Sequence, residues 1–520
     1  MSDQLERRLQ ALSKPDFAGC LHGGHHGIEK ESLRVTPDGY IADTDHPIGL
    51  GSALTNRFIT TDYSEALLEF VTPPVGSVWE AIQYLCDIHQ FVYGHLDEEL
   101  LWAMSMPCMI RSEADVPLAR YGSSNVGMMK TVYRRGLGYR YGRNMQAIAG
   151  IHFNYSLSES FWPVYRDIEG WGADESEFRS LAYLGLVRNV RRLNWLLLYL
   201  FGASPAVCRT FLAGIDTNLE AFDAGTLYGP HATSLRMSNI GYQNSNQAAL
   251  NVSANSLDEY IHDLDYAVRT PNKSYEEIGI KVDGVYRQLN ANLLQIENEY
   301  YSAVRPKRVA RSGEKPTEAL RRGGVEYVEL RSLDISPFDP VGINRVQVKF
   351  LETFLIYCLL KDSPPISIHE KHDNSHNHAE SAGRGREPGL ELRRQGRTCK
   401  LQDWGLETCR EMLPVAGLLE SGGGTAYTDA VNTQIAALED PERTPSARFI
   451  GELTDNRQSV FEYAMELSRR YRDYFGALPD DMNAHHQPLI DESRESLLRQ
   501  ADVEAADTID FDAYLERYFS

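Results

Sequence analysis

Four short stretches of this 520-residue chain carry polar side chains of one chemical kind at alternate positions. In Gly27-Ile-Glu-Lys-Glu-Ser-Leu-Arg-Val35, strand alternation puts Glu29 and Glu31 on one face. In Glu65-Ala-Leu-Leu-Glu-Phe-Val71, Glu65 and Glu69 share a face with Leu67 and Val71. Gly150-Ile-His-Phe-Asn-Tyr-Ser156 shows His152, Asn154 and Ser156 on one face and Ile151, Phe153 and Tyr155 on the other. In Tyr327-Val-Glu-Leu-Arg-Ser-Leu333, Glu329 and Arg331 lie opposite Val328 and Leu330. Any one of these, alone, also describes the solvated outer face of an antiparallel sheet. Such a face usually mixes Lys and Thr with its carboxylates, whereas here the polar positions are mainly Glu, His, Asn and Arg, the side chains of hard-metal sites. If the four strands line one cavity, their carboxylates cannot all stay ionised without a counter-charge. A divalent cation supplies it. Oxygen ligands without thiolates point to Mg²⁺ or Mn²⁺ rather than zinc, and Mg²⁺ characteristically bridges carboxylates to nucleotide phosphates.

The elements that must position these residues follow from periodicity. The first seventeen residues predict an amphipathic helix, with Leu5, Leu9 and Leu12 on one side. From Gly23 to Val71 short alternating runs broken by Gly, Pro and Asp predict strands and loops. Helices are expected from Val78 to Leu101, from Arg179 to Phe201 (closed by Gly202 and Pro205) and from Arg345 to Leu360, the last apolar enough to be buried. Residues 320–336 return to strand patterning, and residues 400–520 read as mostly helical. Ser363–Gly389, rich in Pro, His, Gly, Arg and Glu, is expected to be a long surface loop. Its His369, His372, His376 and His378 read as solvated rather than metal-binding, as do His22, His25 and His26. Strands and long helices without βαβα regularity indicate an α+β fold with an antiparallel sheet. The expected organisation is one catalytic unit over 1–520, with a sheet-containing core at about 20–350 and no internal repeat.

Composition narrows the function. A net charge of −21 disfavours nucleic acid or an anionic membrane as partner, since both need a positive field. The most apolar stretch, Trp195–Phe201, falls far short of the roughly 20 residues that span a bilayer. The charged amino-terminal segment is no signal peptide, so a cytoplasmic location is expected. Seven cysteines without a CxxC pair suggest neither a disulfide framework nor a zinc cluster. There is no GxxxxGK[ST], because Gly422-Gly-Gly424 is followed by Thr425, and Gly383-Arg-Gly385 lacks both the spacing and the preceding strand of a dinucleotide fingerprint.

Several motifs together resemble the glutamate–cysteine ligases of the proteobacterial type. They are Gly27–Val35, Ile59-Thr-Thr-Asp-Tyr-Ser-Glu-Ala-Leu-Leu-Glu-Phe-Val-Thr-Pro73, Met104-Ser-Met-Pro-Cys108, Tyr121-Gly-Ser-Ser-Asn125, Leu198–Pro205 and Ala232-Thr-Ser-Leu-Arg236. The likeness is densest at Leu294-Gln-Ile-Glu-Asn-Glu299, Arg305-Pro-Lys-Arg308 and Glu326–Ile335, and it reaches the tail at Ala505–Thr508 and Tyr514–Glu516. The resemblance implies an ATP-dependent enzyme that joins the γ-carboxyl of L-glutamate to the amine of L-cysteine through a γ-glutamyl phosphate. It also implies a curved antiparallel sheet forming a funnel, related in fold to glutamine synthetase and flanked by helices. A monomer is the family expectation.

By resemblance the metal ligands are Glu29, Glu31, Asp62, Glu69, His152 and Glu329, holding Mg²⁺ or Mn²⁺ with ATP as co-substrate. Arg134 and Arg331 are implied as catalytic cations, with Arg236 and Asn154 on substrate. A cysteine pocket is implied at Tyr63, Tyr133, Gln146, Tyr242 and Tyr301. Position 63 carries a hydroxyl where Phe is expected in the best-known members. No cysteine is implied as a nucleophile, and Cys108 reads as a small buried apolar residue. Two other readings stay open: a related ligase with a different amine acceptor, and an inactive regulatory homologue.

Overall fold

The computed structural model describes residues 3–17, 19–172, 174–241, 250–311, 313–479 and 482–520. Its main sheet has seven strands: β1 (His25–Val35), β2 (Ile59–Thr61), β3 (Leu67–Val71), β4 (Leu100–Leu101), β5 (Ile151–Ser156), β6 (Val304–Lys307) and β7 (Tyr327–Leu333). They run in the order β6-β7-β5-β1-β3-β2, with β4 on the end of β1, and every pairing is antiparallel. The α+β class with an antiparallel sheet therefore stands. A register shift between Leu330 and Leu333 interrupts the β7–β5 ladder, a device that bends a strand and raises its local twist.

Helices bury the sheet's apolar side. The helix Glu175–Phe201 is buried almost all round from Leu193 onward, which is what a run such as Leu-Asn-Trp-Leu-Leu-Leu-Tyr-Leu-Phe requires. It packs on β6 and β7. A Cβ on Gly202 would run into the Leu198 and Thr233 carbonyls, so only glycine lets the chain turn off the helix there. Arg345–Leu360, capped by the Asn344 side chain on the Gln347 amide, lies against this helix and is buried from Gln347 to Leu360 apart from Lys349. Buried apolar side chains from Leu5 to Leu489 belong to one contiguous cluster. The carboxyl-terminal helices wrap back over the site's neighbourhood: His486–Ala505 holds the 52–57 loop through Arg57–Glu492 at 2.6 Å, and Phe511–Phe519 packs on the helix Asn125–Tyr141. No described helix is long and apolar enough to cross a membrane.

Five expectations need correction. The helix predicted to reach Leu101 stops at Tyr93, and Leu100–Leu101 instead pairs with Arg34–Val35, a tertiary contact that local periodicity does not report. The predicted strand patterning from residue 320 begins only at Tyr327, after the helix Pro316–Gly323. The segment 363–389 is not a surface loop, because Ile368–Arg384 is a helix capped by Ser367. Polar rather than apolar side chains seat it: Ser381 Oγ donates to the Trp195 carbonyl at 2.7 Å, and Asn377 exchanges two hydrogen bonds with the Arg393 backbone. His378 is half-buried with its ring nitrogens on Asn194 and the Met237 carbonyl, and His26 is buried, so neither is a freely solvated histidine. Finally, Cys108 and Cys208, 100 residues apart with Cα atoms 5.3 Å from one another, form a disulfide. Both are buried, which hides a pair that spacing alone does not reveal.

Candidate active site

The sheet register places the polar strand faces side by side. Glu29 on β1 lies directly opposite His152 on β5, Glu31 lies opposite Glu69 on β3, and Glu329 on β7 lies opposite Asn154. Like charges opposite one another across an antiparallel pair repel, so Glu31 facing Glu69 needs a cation between or near them.

Three of these side chains converge. One donor atom each of Glu29, His152 and Glu329 lies within 4.8 Å of the others. His152 Nδ1 is 3.0 Å from Glu29 and 3.8 Å from Glu329, while its Nε2 is 3.9 Å from Glu31. Asn154 Nδ2 donates to Glu29 at 2.9 Å, and the Gly150 amide donates to Glu31 at 2.6 Å. Glu329 receives Arg331 Nη1 at 3.2 Å and faces Lys307 Nζ at 3.6 Å.

The electrostatics divide the carboxylates into two sets. Burial opposes ionisation of Glu329, yet Lys307, Arg331 and His152 hold it well below the usual carboxylate range. Burial likewise opposes ionisation of Glu29, and the His152 hydrogen bond brings it below normal. For Glu31 the balance goes the other way: burial, then the Asp62 charge, outweigh Arg236, the Gly150 amide and Arg331 and push it up to about 8. Glu69 is raised well above its ordinary value by burial, Glu29 and Asp62. His152 is depressed by burial and Arg331, which keeps its imidazole neutral and able to ligate.

This donor set fits a hard divalent cation. It is carboxylate oxygen and neutral imidazole with no thiolate. Glu329 Oε2 and Asn154 Oδ1 are buried with no hydrogen-bond partner among the described residues, and orphaned acceptors of this kind are what a cation satisfies. The Glu29–His152–Glu329 triad is thus a candidate metal site; Glu31, Asp62 and Glu69 form the adjacent acidic group.

The remaining expected residues surround it. Arg134, on the helix Asn125–Tyr141, donates to the Asp62 carbonyl and lies over the Tyr121 ring, 4.6 Å from its centroid. Arg236 sits in a short 3₁₀ turn, donating to the Arg331 carbonyl at 3.2 Å, with Asp334 3.8 Å away. Tyr301 donates to the Met237 sulfur at 3.4 Å, and Tyr133 is half-buried on the same helix as Arg134. Tyr63 is buried, and among the described residues its hydroxyl has no partner. Gln146 is buried in the turn Asn144–Ala147. Tyr242 lies outside the described residues. Glu65 leaves the strand face expected for it: its carboxylate takes the His46 and Arg120 amides in the turn before β3.

Three site residues escaped the sequence reading. Arg305 and Lys307 come from β6, whose Arg-Pro-Lys run carried a visible alternation, and Arg305 pairs in register with Glu329. Gly150 touches Glu31 through both its amide and its carbonyl, and a Cβ there would collide with the Arg236 guanidinium. Any side chain at position 150 would have to displace that guanidinium. A cavity of about 1650 Å³ elsewhere, lined by Arg8, Arg188, Arg192 and Lys361, contains none of these groups. Its acids Glu169, Glu370 and Glu411 are already paired with Arg8, Arg192 and Lys361.

An antiparallel sheet with a buried carboxylate and histidine cluster on one face is the frame of an enzyme that handles anions through a hard cation. Residues 9–380 match the family model for glutamate–cysteine ligase. The glutamate–cysteine ligase of Alcanivorax borkumensis is 49% identical over 99% of both chains, and that of Pseudomonas entomophila is 47% identical over 100% of this chain and 97% of its own. A crystal structure of the Francisella tularensis glutamate–cysteine ligase in complex with AMP superposes with a TM-score of 0.90 and 36% identity, covering 96% of this chain and 98% of that one. The chain belongs to the glutamate–cysteine ligase family.

Proposed function

We propose that this enzyme uses ATP to join the γ-carboxyl of L-glutamate to the amine of L-cysteine, giving γ-glutamylcysteine, ADP and phosphate. The observation that carries the reading is the cluster of Glu29, Glu31, Glu69, His152 and Glu329 on adjacent strands of a chain in this family. We further place it in the cytoplasm as a monomer, with ATP, glutamate and cysteine as its small-molecule partners.

A free carboxylate is unreactive toward an amine. The glutamate γ-carboxylate oxygen therefore attacks the γ-phosphorus of ATP and ADP leaves. The cysteine nitrogen then attacks the acyl carbon, and phosphate leaves as the C–N bond forms. In-line phosphoryl transfer asks the protein for positioning and charge neutralisation more than for covalent chemistry. Glu29, His152 and Glu329, with Glu31, Asp62 and Glu69 beside them, would hold Mg²⁺ or Mn²⁺. Bound there, the cation supplies Lewis acidity toward phosphate and carboxylate oxygens.

The chain's own cations do the rest. Arg331 carries its positive charge at the edge of the cluster, anchored by Glu329, where a guanidinium meets a phosphoryl oxygen in its planar fork. Arg134 is fixed by backbone carbonyls and the Tyr121 ring, and among the described residues no carboxylate lies within ion-pair distance of it. Arg236, seated over Gly150, is assigned to a substrate carboxylate. Tyr63, Tyr133, Gln146, Tyr242 and Tyr301 are assigned to the acceptor pocket. Discrimination of thiol from hydroxyl there rests on shape and polarizability, worth about 1–3 kcal/mol.

The test is cysteine-dependent ADP release with Mg-ATP and glutamate, the product identified by mass, with cysteine, serine, ammonia and 2-aminobutyrate in competition. Glu329→Gln is expected to lose about 10³-fold or more in turnover. Preference for another amine would overturn the acceptor assignment. Full activity of Glu329→Gln would overturn the role given to the carboxylate cluster.

A further inference from the structure

Behind the acceptor residues lies an ion pair with almost no contact with water. Arg140 and Glu299 are 2.9 Å apart, and their side chains are 0% and 1% exposed. Arg140 lies in the last turn of the helix that carries Tyr133 and Arg134; Glu299 lies two residues before Tyr301. Neither belongs to the carboxylate cluster.

Part of the network around this pair leads to those two tyrosines. The Glu299 carboxylate accepts from Arg140 Nη1, from Tyr141 Oη at 2.5 Å and from the Gln295 amide at 2.6 Å. Gln295 then passes the constraint to the helix, because its Nε2 donates to the Tyr133 carbonyl at 3.1 Å and its Oε1 accepts the Leu289 amide. The rest of the Arg140 fork is used as well, with Nε on Gln288 at 2.9 Å and Nη2 on the Asn290 carbonyl at 2.8 Å. Gly136 permits the close approach: a Cβ there would collide with the Gln295 amide group. On the far side, Arg305 of β6 donates to the Asn298 and Tyr300 carbonyls. The turn before Tyr301 is thus held between the Tyr133 helix and the strand that pairs with Glu329.

Resting on the reading that Tyr133 and Tyr301 line the acceptor pocket, we infer that Arg140 and Glu299 are positioning residues for that pocket. They fix the separation of its two walls. A buried ion pair is a poor source of stability, since desolvation consumes most of the attraction. What it does provide is direction, because a guanidinium fork and a carboxylate satisfied from three sides admit one geometry. Acceptor selection needs that geometry: the amine must approach the face of the acyl carbonyl, and sub-ångström looseness there weakens both binding and selection.

The experiment measures KM for cysteine, glutamate and ATP, together with kcat, in Glu299→Gln, Arg140→Lys and Tyr141→Phe, with melting temperature as the folding control. Arg140→Lys keeps the charge and loses the fork; Tyr141→Phe removes one donor and leaves the pair intact. The expected result is a cysteine KM raised about tenfold in the first two and about threefold in the third, with glutamate and ATP KM within about twofold. A purely structural role would lower melting temperature and kcat without separating the three KM values, and that result overturns the inference. A wild-type cysteine KM in Arg140→Lys and Tyr141→Phe overturns it also. Tyr133→Phe and Tyr301→Phe separate the two layers. If they leave cysteine KM unchanged, the pocket assignment itself fails. If they raise it while the Arg140, Tyr141 and Glu299 variants do not, only the positioning role fails.

Discussion

Glu352 ties the back of the catalytic sheet to two helices, and its removal should be felt throughout the core. It projects from Arg345–Leu360 with its side chain 4% exposed. Tyr427 Oη donates to one carboxylate oxygen at 2.8 Å, Tyr155 Oη donates to the other at 3.2 Å, and His26 Nε2 lies 3.0 Å away, off the hydrogen-bond line. Tyr155 follows Asn154 on β5, and His26 precedes Glu29 on β1 by three residues. Hydrogen bonds to a charged group are worth about 1.5–3 kcal/mol each, and breaking a buried charged cluster typically costs about 3–5 kcal/mol in total. Glu352→Ala, which leaves two hydroxyls without an acceptor and His26 without its carboxylate, is expected at the full 3–5 kcal/mol; Glu352→Gln keeps one acceptor and is expected at about 1–2 kcal/mol. The readouts are the urea midpoint and the rate of thermal inactivation, since a chain of this size need not unfold in one step. The pH dependence has a definite sign. Burial raises the carboxyl and the His26, Tyr427 and Tyr155 contacts more than compensate, so its folded value lies below 4.5. Its stabilisation is therefore complete above that pH and fades as acid protonates it. The gap between wild type and Glu352→Gln should be widest at neutral pH and shrink on acidification below about 4.5. A wild-type urea midpoint for Glu352→Ala at pH 7, or a gap that widens in acid, would refute the reasoning.

Three further outcomes are expected. Gly150→Ala should displace the Arg236 guanidinium and cost about 10²-fold in kcat/KM with little change in melting temperature; activity near wild type would mean Arg236 has room to move. Tyr63→Phe removes a buried hydroxyl that has no partner among the described residues, so stability should rise by about 1 kcal/mol and the preference for cysteine over serine should strengthen, read by melting and by competition assay. Alkylation of the denatured, unreduced protein should label five of the seven cysteines, rising to seven after reduction; seven from the start would exclude the Cys108–Cys208 bond.

Strand alternation made much of the candidate site legible before any coordinates. On β1, β5 and β7 the polar positions were single-typed enough to be paired with one another, and Glu29, His152 and Glu329 do meet. Alternation fails where the strand stops, and so Glu65 was placed with Glu69 although the chain has already turned into the 64–66 corner. The helix Ile368–Arg384 was missed for a related reason. Its seat is made by Asn377, Ser381 and His378 side chains on distant carbonyls, so its buried face has no apolar stripe to read. Partnerships over long separations leave no local trace either: Cys108 with Cys208, Arg140 with Glu299, and Gly150 beneath Arg236 are all set by tertiary geometry.

The register explains why the site depends on so few alternatives. A one-residue slip of β1 against its neighbours would carry Glu29 and Glu31 to the helix-covered face and bring Lys30 to the cluster. Ile28, on the same face as Lys30, is fully buried, so the slip would also expose the core. Hydrophobic burial thus enforces a register in which Glu31 faces Glu69, an arrangement their own charges oppose. Burial and Asp62 then raise Glu31 to about 8, which makes a cation the group that lets these carboxylates ionise where the fold has put them. Lys307 and Arg331 relieve Glu329, and none of the leading influences on Glu31 or Glu69 overcomes burial. At Glu31 and Glu69 burial and the neighbouring carboxylates outweigh Arg236, the Gly150 amide, Arg331 and Arg134, so a cation bound beside them would offset a repulsion that the packing of the strands itself imposes.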